Sequence, residues 1–157
     1  MQTLTLMVLG FCLLSWAQPG QTAQKDFYIV TVHVDGKTST KGDGNHPPEA
    51  FPGQGFPSGG GIVAKAPDAQ GEWSMRAFVF VPSQVIVYQG DQVNLHFLGV
   101  QGPSHTIAVD GQAEPLVVKR GEMKTVSLVA DKVGEIRFRA VNREPTMHGQ
   151  VIVLPRP

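Results

Sequence analysis

The sequence contains a single cysteine, Cys12, which lies inside an apolar N-terminal run. If that run is removed as a leader, the remaining chain has no cysteine, which excludes disulfides, thiolate nucleophiles and thiolate metal ligands. An excess of charge of one sign is also missing, because 13 Lys and Arg residues balance 13 Asp and Glu residues. No basic field therefore points to nucleic acid, and no acidic field points to a cationic partner.

The chain also lacks an apolar run long enough to span a membrane comfortably. Residues 3–17 form an uncharged apolar stretch whose length suits the hydrophobic region of a secretory signal. Ala17 and Ala23 offer cleavage points, although no Lys or Arg precedes the run. We therefore predict a signal within residues 1–23 and a periplasmic or secreted protein. A retained N-terminal anchor is the alternative, and only then would the chain contact a membrane.

Glycine and proline are abundant, with 18 and 12 residues in a chain of 157. A chain of this length suits one domain, which we place at residues 24–157. Residues 27–34 (FYIVTVHV) alternate along the chain and are rich in β-branched and aromatic types, which predicts a strand. The stretch 35–74 loses this pattern and predicts a long Pro/Gly-rich insertion without strands, pinned to the domain by Phe51 and Phe56.

Beyond the insertion, short alternating segments are separated by turn residues. Strands are predicted at 75–81, 84–88, 92–98, 105–109, 115–118, 124–129, 135–141 and 150–154. Alternation places Val93, Leu95 and Phe97 on one face, as a core requires. Many short strands without a helical period predict a β-sandwich. No glycine-rich phosphate loop follows a strand and opens a helix, so nucleotide binding has no support.

Three segments and one loop carry a family resemblance. The segments are PSQVIVYQGDQVNLHF (82–97), SHTIAVDG (104–111) and VVKRGEMKTVSLVADKVGEIRF (117–138), and the loop closes on Pro145, Met147, His148 and Gly149. Together they resemble the cupredoxin family, in particular its nitrosocyanin-like branch. The resemblance implies an all-β, Greek-key β-sandwich of cupredoxin type, with the long insertion placed after the first strand.

Two copper ligands expected from this resemblance are missing. In the family, the loop carries a Cys and then a His shortly before a Pro. Here the Cys position falls on Ala140 or Val141, and the His position falls on Arg143 or Glu144. A site built on the remaining residues would lack thiolate-to-copper charge transfer and would not be blue.

The other two ligand positions are kept. The resemblance places His105 at the first ligand and Met147 or His148 at the last, and Glu144 could add a carboxylate. Neutral imidazole suits Cu(II), Cu(I) and Zn, whereas a thioether selects Cu(I), so copper is the expected cofactor. In the alternative, the site is fully degenerate and binds no metal. His105 then packs under the loop, and Met147 fills a gap in the core.

The remaining candidates have ordinary interpretations. His96 is flanked by apolar residues on its strand and is predicted to face away from the core, and His33 is predicted to be a surface residue for the same reason. Ser104 and His105 are adjacent on one strand and point to opposite faces, so they do not form a catalytic pair. We therefore do not expect an enzyme.

Two functions remain open from the sequence. The first is an extracytoplasmic cupredoxin-like protein with a degenerate, non-blue copper site, used for copper binding or handling. The second is a metal-free scaffold that serves as an accessory subunit of a periplasmic or membrane-associated redox or photosynthetic complex, with a protein partner. A mononuclear copper enzyme ranks last.

Overall fold

The computed structural model describes residues 22–53 and 59–157. These residues form ten strands and one short 3₁₀ turn. In chain order the strands are β1 (Gln24–Ser39), β2 (Ile62–Lys65), β3 (Glu72–Val81), β4 (Gln84–Tyr88), β5 (Gln92–Gly99), β6 (Ser104–Val109), β7 (Leu116–Lys119), β8 (Met123–Val129), β9 (Gly134–Ala140) and β10 (His148–Leu154), and the 3₁₀ turn Val141–Arg143 follows β9.

The strands form two five-stranded sheets. One sheet has the order β2-β3-β1-β5-β8, and the other has the order β4-β10-β9-β6-β7. Two neighbouring pairs, β1 with β5 and β10 with β4, run parallel, and the other pairs are antiparallel. The predicted two-sheet sandwich is therefore confirmed.

The core lies between the inner faces of the two sheets. The alternation predicted for β5 is confirmed, since Val93, Leu95 and Phe97 are each 0% exposed. Phe97 meets Phe80 and Phe138 with ring centroids 5.3–5.9 Å apart among the three rings. Burial of one such side chain stabilises a fold by roughly 2–3 kcal/mol, so this aromatic group is a main contributor to the cohesion of the sheets.

The predicted absence of strands from 35–74 was wrong. β1 continues to Ser39 and pairs with the start of β3, and β2 also lies within this stretch. This part of β1 is mostly exposed, so no buried face imposes an apolar alternation on its sequence. Cross-strand ion pairs support the register instead, with Arg76 Nε 2.6 Å from Asp35 Oδ1 and Lys37 Nζ 2.5 Å from Glu72 Oε2.

The insertion is fixed to this strand extension by aromatic contacts. Phe51 packs edge-on against Trp73 with ring centroids 5.4 Å apart, and the Trp73 indole N–H donates to the carbonyl of Glu49 at 3.0 Å. Phe56 lies outside the described residues, as does the predicted leader up to residue 21. In the described part of the chain, no helix is long and apolar enough to cross a membrane.

One end of the sandwich is held by a buried carboxylate. Asp91, 1% exposed, accepts hydrogen bonds from the backbone N–H groups of Ala23 and Tyr88, each at 3.0 Å, and also bonds Arg156. These donors lower the pKa of Asp91 to about 2, so it is ionised at neutral pH. Asp91 precedes β5, and the candidate site lies beyond the opposite end of that strand.

Candidate functional site

The site begins with a histidine whose predicted orientation was wrong. His33 does not lie on the outer face of β1. Ile29 and Thr31 are fully buried on its inner face, His33 continues that face, and Val34, the next residue, is exposed on the outer face. The valines of this strand lie on its outer side. The prediction was therefore wrong to treat the apolar residues that flank His33 as marking the inner face. The prediction for His96 holds, because it stacks on the exposed Tyr28 ring with centroids 4.7 Å apart.

His105 is fully buried and is held by its neighbours on both sides. The Asn142 side chain accepts a hydrogen bond from the Thr106 N–H at 3.1 Å and donates to the Ser104 carbonyl at 3.3 Å. These two bonds attach the start of β6 to the 3₁₀ turn. The His105 side chain, which points the other way from Ser104 and Thr106, is thereby fixed inside the sandwich.

The ring of His105 has one nitrogen bonded and one free. Nε2 lies 2.7 Å from the Gln101 carbonyl, which can only accept, so Nε2 carries the proton and Nδ1 carries a lone pair. Nδ1 is buried and has no hydrogen-bond partner. Burial lowers the pKa of His105 below its ordinary value, the Gln101 carbonyl opposes this, and the charge of Arg143 lowers it further. The imidazole is therefore neutral at neutral pH.

Gln101 also fixes the second histidine. Its side-chain oxygen accepts the backbone N–H of His33 at 2.7 Å, while its carbonyl accepts from His105. His33 Nε2 lies 2.9 Å from Asp35 Oδ2, and its Nδ1 is buried without a hydrogen-bond partner. Two imidazoles thus have the same arrangement, with Nε2 held by an oxygen and Nδ1 left bare.

Both imidazoles and one arginine surround the ring of Phe78. The His33 and His105 ring centroids lie 5.7 and 5.8 Å from the Phe78 centroid, and the Arg143 guanidinium carbon lies 4.4 Å above it. We call these four residues the Phe78 cluster. Arg143 Nε, like the two Nδ1 atoms, is buried and unbonded, and no other described residue has such a side-chain nitrogen or oxygen. An unmade buried hydrogen bond costs about 1–3 kcal/mol, so these three atoms mark the Phe78 cluster as the candidate site.

The predicted metal ligands divide into buried and exposed residues. His105 and Met147 are each 0% exposed. His148 lies at the surface, with Nδ1 2.8 Å from the Pro145 carbonyl, and the exposed Glu144 carboxylate lies 3.1 Å from Arg139 Nε. Among the described residues, no group of three or more His, Cys, Asp or Glu side chains is arranged to hold a metal ion.

The residues at the positions predicted for the missing ligands differ in their surroundings. Ala140 is fully buried, whereas Val141 is 46% exposed. Arg143 covers Phe78, whereas Glu144 faces Arg139 at the surface. Ala140 and Arg143 are therefore the less exposed residue of each pair.

The end of the insertion packs against this loop. The Gly60 carbonyl accepts both the Thr146 N–H, at 3.3 Å, and the Thr146 hydroxyl, at 3.0 Å. A Cβ added to Gly61 would overlap the Thr146 hydroxyl and lie 2.6 Å from the Arg143 carbonyl. The insertion therefore helps to position the loop that carries Arg143.

Comparison with solved structures identifies the fold. The chain is similar to a copper nitrite reductase from Nitrosomonas europaea, with a TM-score of 0.51, 19% identity, and coverage of 87% of this chain and 42% of that one. It is also similar to a copper-containing nitrite reductase from Thermus scotoductus, with a TM-score of 0.52, 14% identity, and coverage of 85% of this chain and 28% of that one. A multicopper oxidase from Pseudomonas thermotolerans matches with a TM-score of 0.51, 16% identity, and coverage of 87% of this chain and 31% of that one.

These similarities establish a cupredoxin-like β-sandwich. The chain spans about two-fifths of the length of the Nitrosomonas europaea reductase. No protein-family model and no curated protein sequence matches it.

The packing of the insertion against the loop is testable with two matched glycines. Gly61 and Gly121 have the same φ of +81°, but an added Cβ has no neighbour within 4 Å at Gly121. Gly121→Ala should cost about 1 kcal/mol in unfolding free energy, from backbone strain alone. Gly61→Ala should cost roughly 1–3 kcal/mol more, because the loop must move. Urea unfolding measures both, and equal losses would show that Gly60 and Gly61 do not position the loop.

Proposed function

We propose that this is an extracytoplasmic copper-handling protein, in which His105 and Met147 form a degenerate, non-blue site for Cu(I). The observation that carries the proposal is the bare, buried Nδ1 of His105. A metal-ligating histidine ordinarily donates its other ring N–H to a carbonyl or carboxylate, which fixes the tautomer. The bond from Nε2 to the Gln101 carbonyl meets that requirement.

The donor types favour the reduced ion. A thioether is a soft ligand that selects Cu(I), and neutral imidazole accepts the same ion. Met147 is buried, and its backbone N–H bonds to the carbonyl of Arg143, a member of the cluster, at 3.2 Å. Copper bound there would be stored or transferred as Cu(I).

A blue centre does not fit these residues. Ala140 supplies no thiolate, and the chain's one cysteine is Cys12 in the predicted leader. Glu144 is engaged by Arg139 and His148 is at the surface, so we propose a site of His105 and Met147 without them. We therefore propose binding rather than catalysis. The nitrosocyanin-like assignment stays a prediction from the loop pattern.

A second function is favoured by one specific observation, the position of Arg143. Its guanidinium is permanently charged and adds to the larger effect of burial in lowering the pKa of His105, and the same field opposes a metal cation. On this proposal, the fold is a metal-free scaffold. It would serve as an accessory subunit of a redox or photosynthetic complex outside the cytoplasm, bound to a protein partner.

Titration with Cu(I) against a competing chelator distinguishes the two functions. We expect about one equivalent to bind, His105→Ala to abolish binding, and the outward-facing control His96→Ala to retain it. Arg143→Gln should tighten binding by about tenfold, because a repulsive charge is removed. Absence of Cu(I) binding in both the unmodified protein and Arg143→Gln would reject copper handling and favour the scaffold.

Restoring the missing ligands tests the orientation of the loop. The pair Ala140→Cys and Arg143→His replaces the two inward residues, and with Cu(II) it should produce a thiolate-to-copper charge-transfer band in the visible spectrum. The control pair Val141→Cys and Glu144→His replaces their outward neighbours and should remain without that band. A band in the control alone would show that the interior positions are misassigned.

A further inference from the structure

We propose that a cleft beside the Phe78 cluster binds a small organic carboxylate with an apolar body. The cleft has a volume of about 290 Å³ and lies where β1, β2 and β3 meet the 3₁₀ turn. Its apolar lining comes from Val63, Met75 and Phe78, and its basic lining from Lys65, Arg76 and Arg143. This inference does not depend on copper binding.

The charges in the cleft are not balanced. Arg76 is neutralised by Asp35, with its Nε 2.6 Å and its Nη2 3.3 Å from the two carboxylate oxygens. Asp35 is also shared with His33. Lys65 and Arg143 have no acidic partner among the described residues. Two cations therefore face a cleft whose one carboxylate is already committed, which favours an anionic ligand.

Arg143 is pre-positioned as the anchor. Its guanidinium carbon lies over the Phe78 ring, 4.4 Å from the centroid, in a cation–π contact that restricts an otherwise flexible side chain. Its Nε is buried without a hydrogen-bond partner. Arg143 also lines the cleft, where a carboxylate oxygen would accept a charge-assisted bond from its guanidinium and supply the counter-charge at the same time.

The rest of the cleft favours a ligand whose body is apolar. Val63, Met75 and Phe78 present two aliphatic walls and an aromatic edge, and Met adapts readily to varied ligand shapes. The volume lies at the low end for ligand sites, which are typically about 300–1,000 Å³. A single-ring or short branched carboxylate matches this size, whereas the acidic side chain of a protein partner would leave the apolar walls uncovered.

Titration of the full chain with sodium benzoate, in the presence of a chelator that removes copper, tests the proposal. Binding is followed in ¹H–¹⁵N NMR spectra, with benzamide as the neutral isostere. We expect benzoate to shift residues lining the cleft and benzamide to bind at least about tenfold more weakly, since only benzoate forms the charged bond. Arg143→Gln should weaken benzoate binding by a similar factor, and Lys65→Gln should weaken it less.

Two variants keep the test decisive. Arg143→Lys keeps the charge but loses the planar fork, and should bind with intermediate affinity. Lys124→Gln removes an exposed cation from β8, at the opposite edge of the same sheet, and should bind like the unmodified protein. Equal binding of benzoate and benzamide, no shifts in the cleft, or no effect of Arg143→Gln would overturn the proposal. So would binding of an acidic peptide, but not benzoate, through Arg143.

Discussion

The candidate site depends on one contact, that of the Arg143 guanidinium with the Phe78 ring beside the buried His105. Phe78 is 6% exposed and takes part in both the core and the site. Arginine cannot lose its proton, so a permanent charge stands at the end of a cupredoxin-like sandwich, and the nearby imidazole stays neutral. Any ligand of this site must therefore be compatible with the positive charge of Arg143 and with a neutral His105.

The surrounding chain is arranged to maintain that contact. Asn142 attaches the 3₁₀ turn to β6 on both sides of His105, and Gln101 fixes the two histidines from a single residue. Gly60 binds the far side of the loop through Thr146. The insertion, which interrupts the sandwich in sequence, therefore contributes to the end that carries the candidate site. The proposed copper ion at His105 and the proposed carboxylate at Arg143 would use different atoms of one cluster, and a bound carboxylate would offset the charge that opposes the metal.

The sequence was sufficient to predict those features of the fold that burial imposes. β5 is recognisable because Val93, Leu95 and Phe97 alternate with polar residues across a buried face. The extension of β1 to Ser39 is not recognisable from the sequence, because it is mostly exposed and cross-strand ion pairs replace the apolar pattern. The prediction that placed His33 on the outer face failed for a related reason. The outer side of its strand is also apolar, so alternation predicts the period of the strand but not which of its faces is buried.

The site was predictable only in part. His105, Met147 and the positions of the missing ligands follow from the resemblance. The tautomer of His105 arises from a bond to the carbonyl of Gln101, which lies four residues earlier, and the inward turn of Arg143 arises from a contact with Phe78, which is distant in the sequence. Neither contact follows from the apolar pattern of the chain. The same limit applies to the cleft, whose cations come from β2, β3 and the 3₁₀ turn.

The central claim, a buried neutral His105 with a bare Nδ1, is tested most directly by long-range ¹H–¹⁵N NMR of ¹⁵N-labelled protein, with His105→Ala used for assignment. We expect the Nε2–H tautomer to persist as the pH falls to 6.5, the ordinary pKa of histidine, because burial and Arg143 lower the pKa of this ring. Addition of Cu(I) should perturb Nδ1 and leave Nε2 protonated. A protonated Nδ1 at neutral pH, in either the other tautomer or the imidazolium, would contradict the claim.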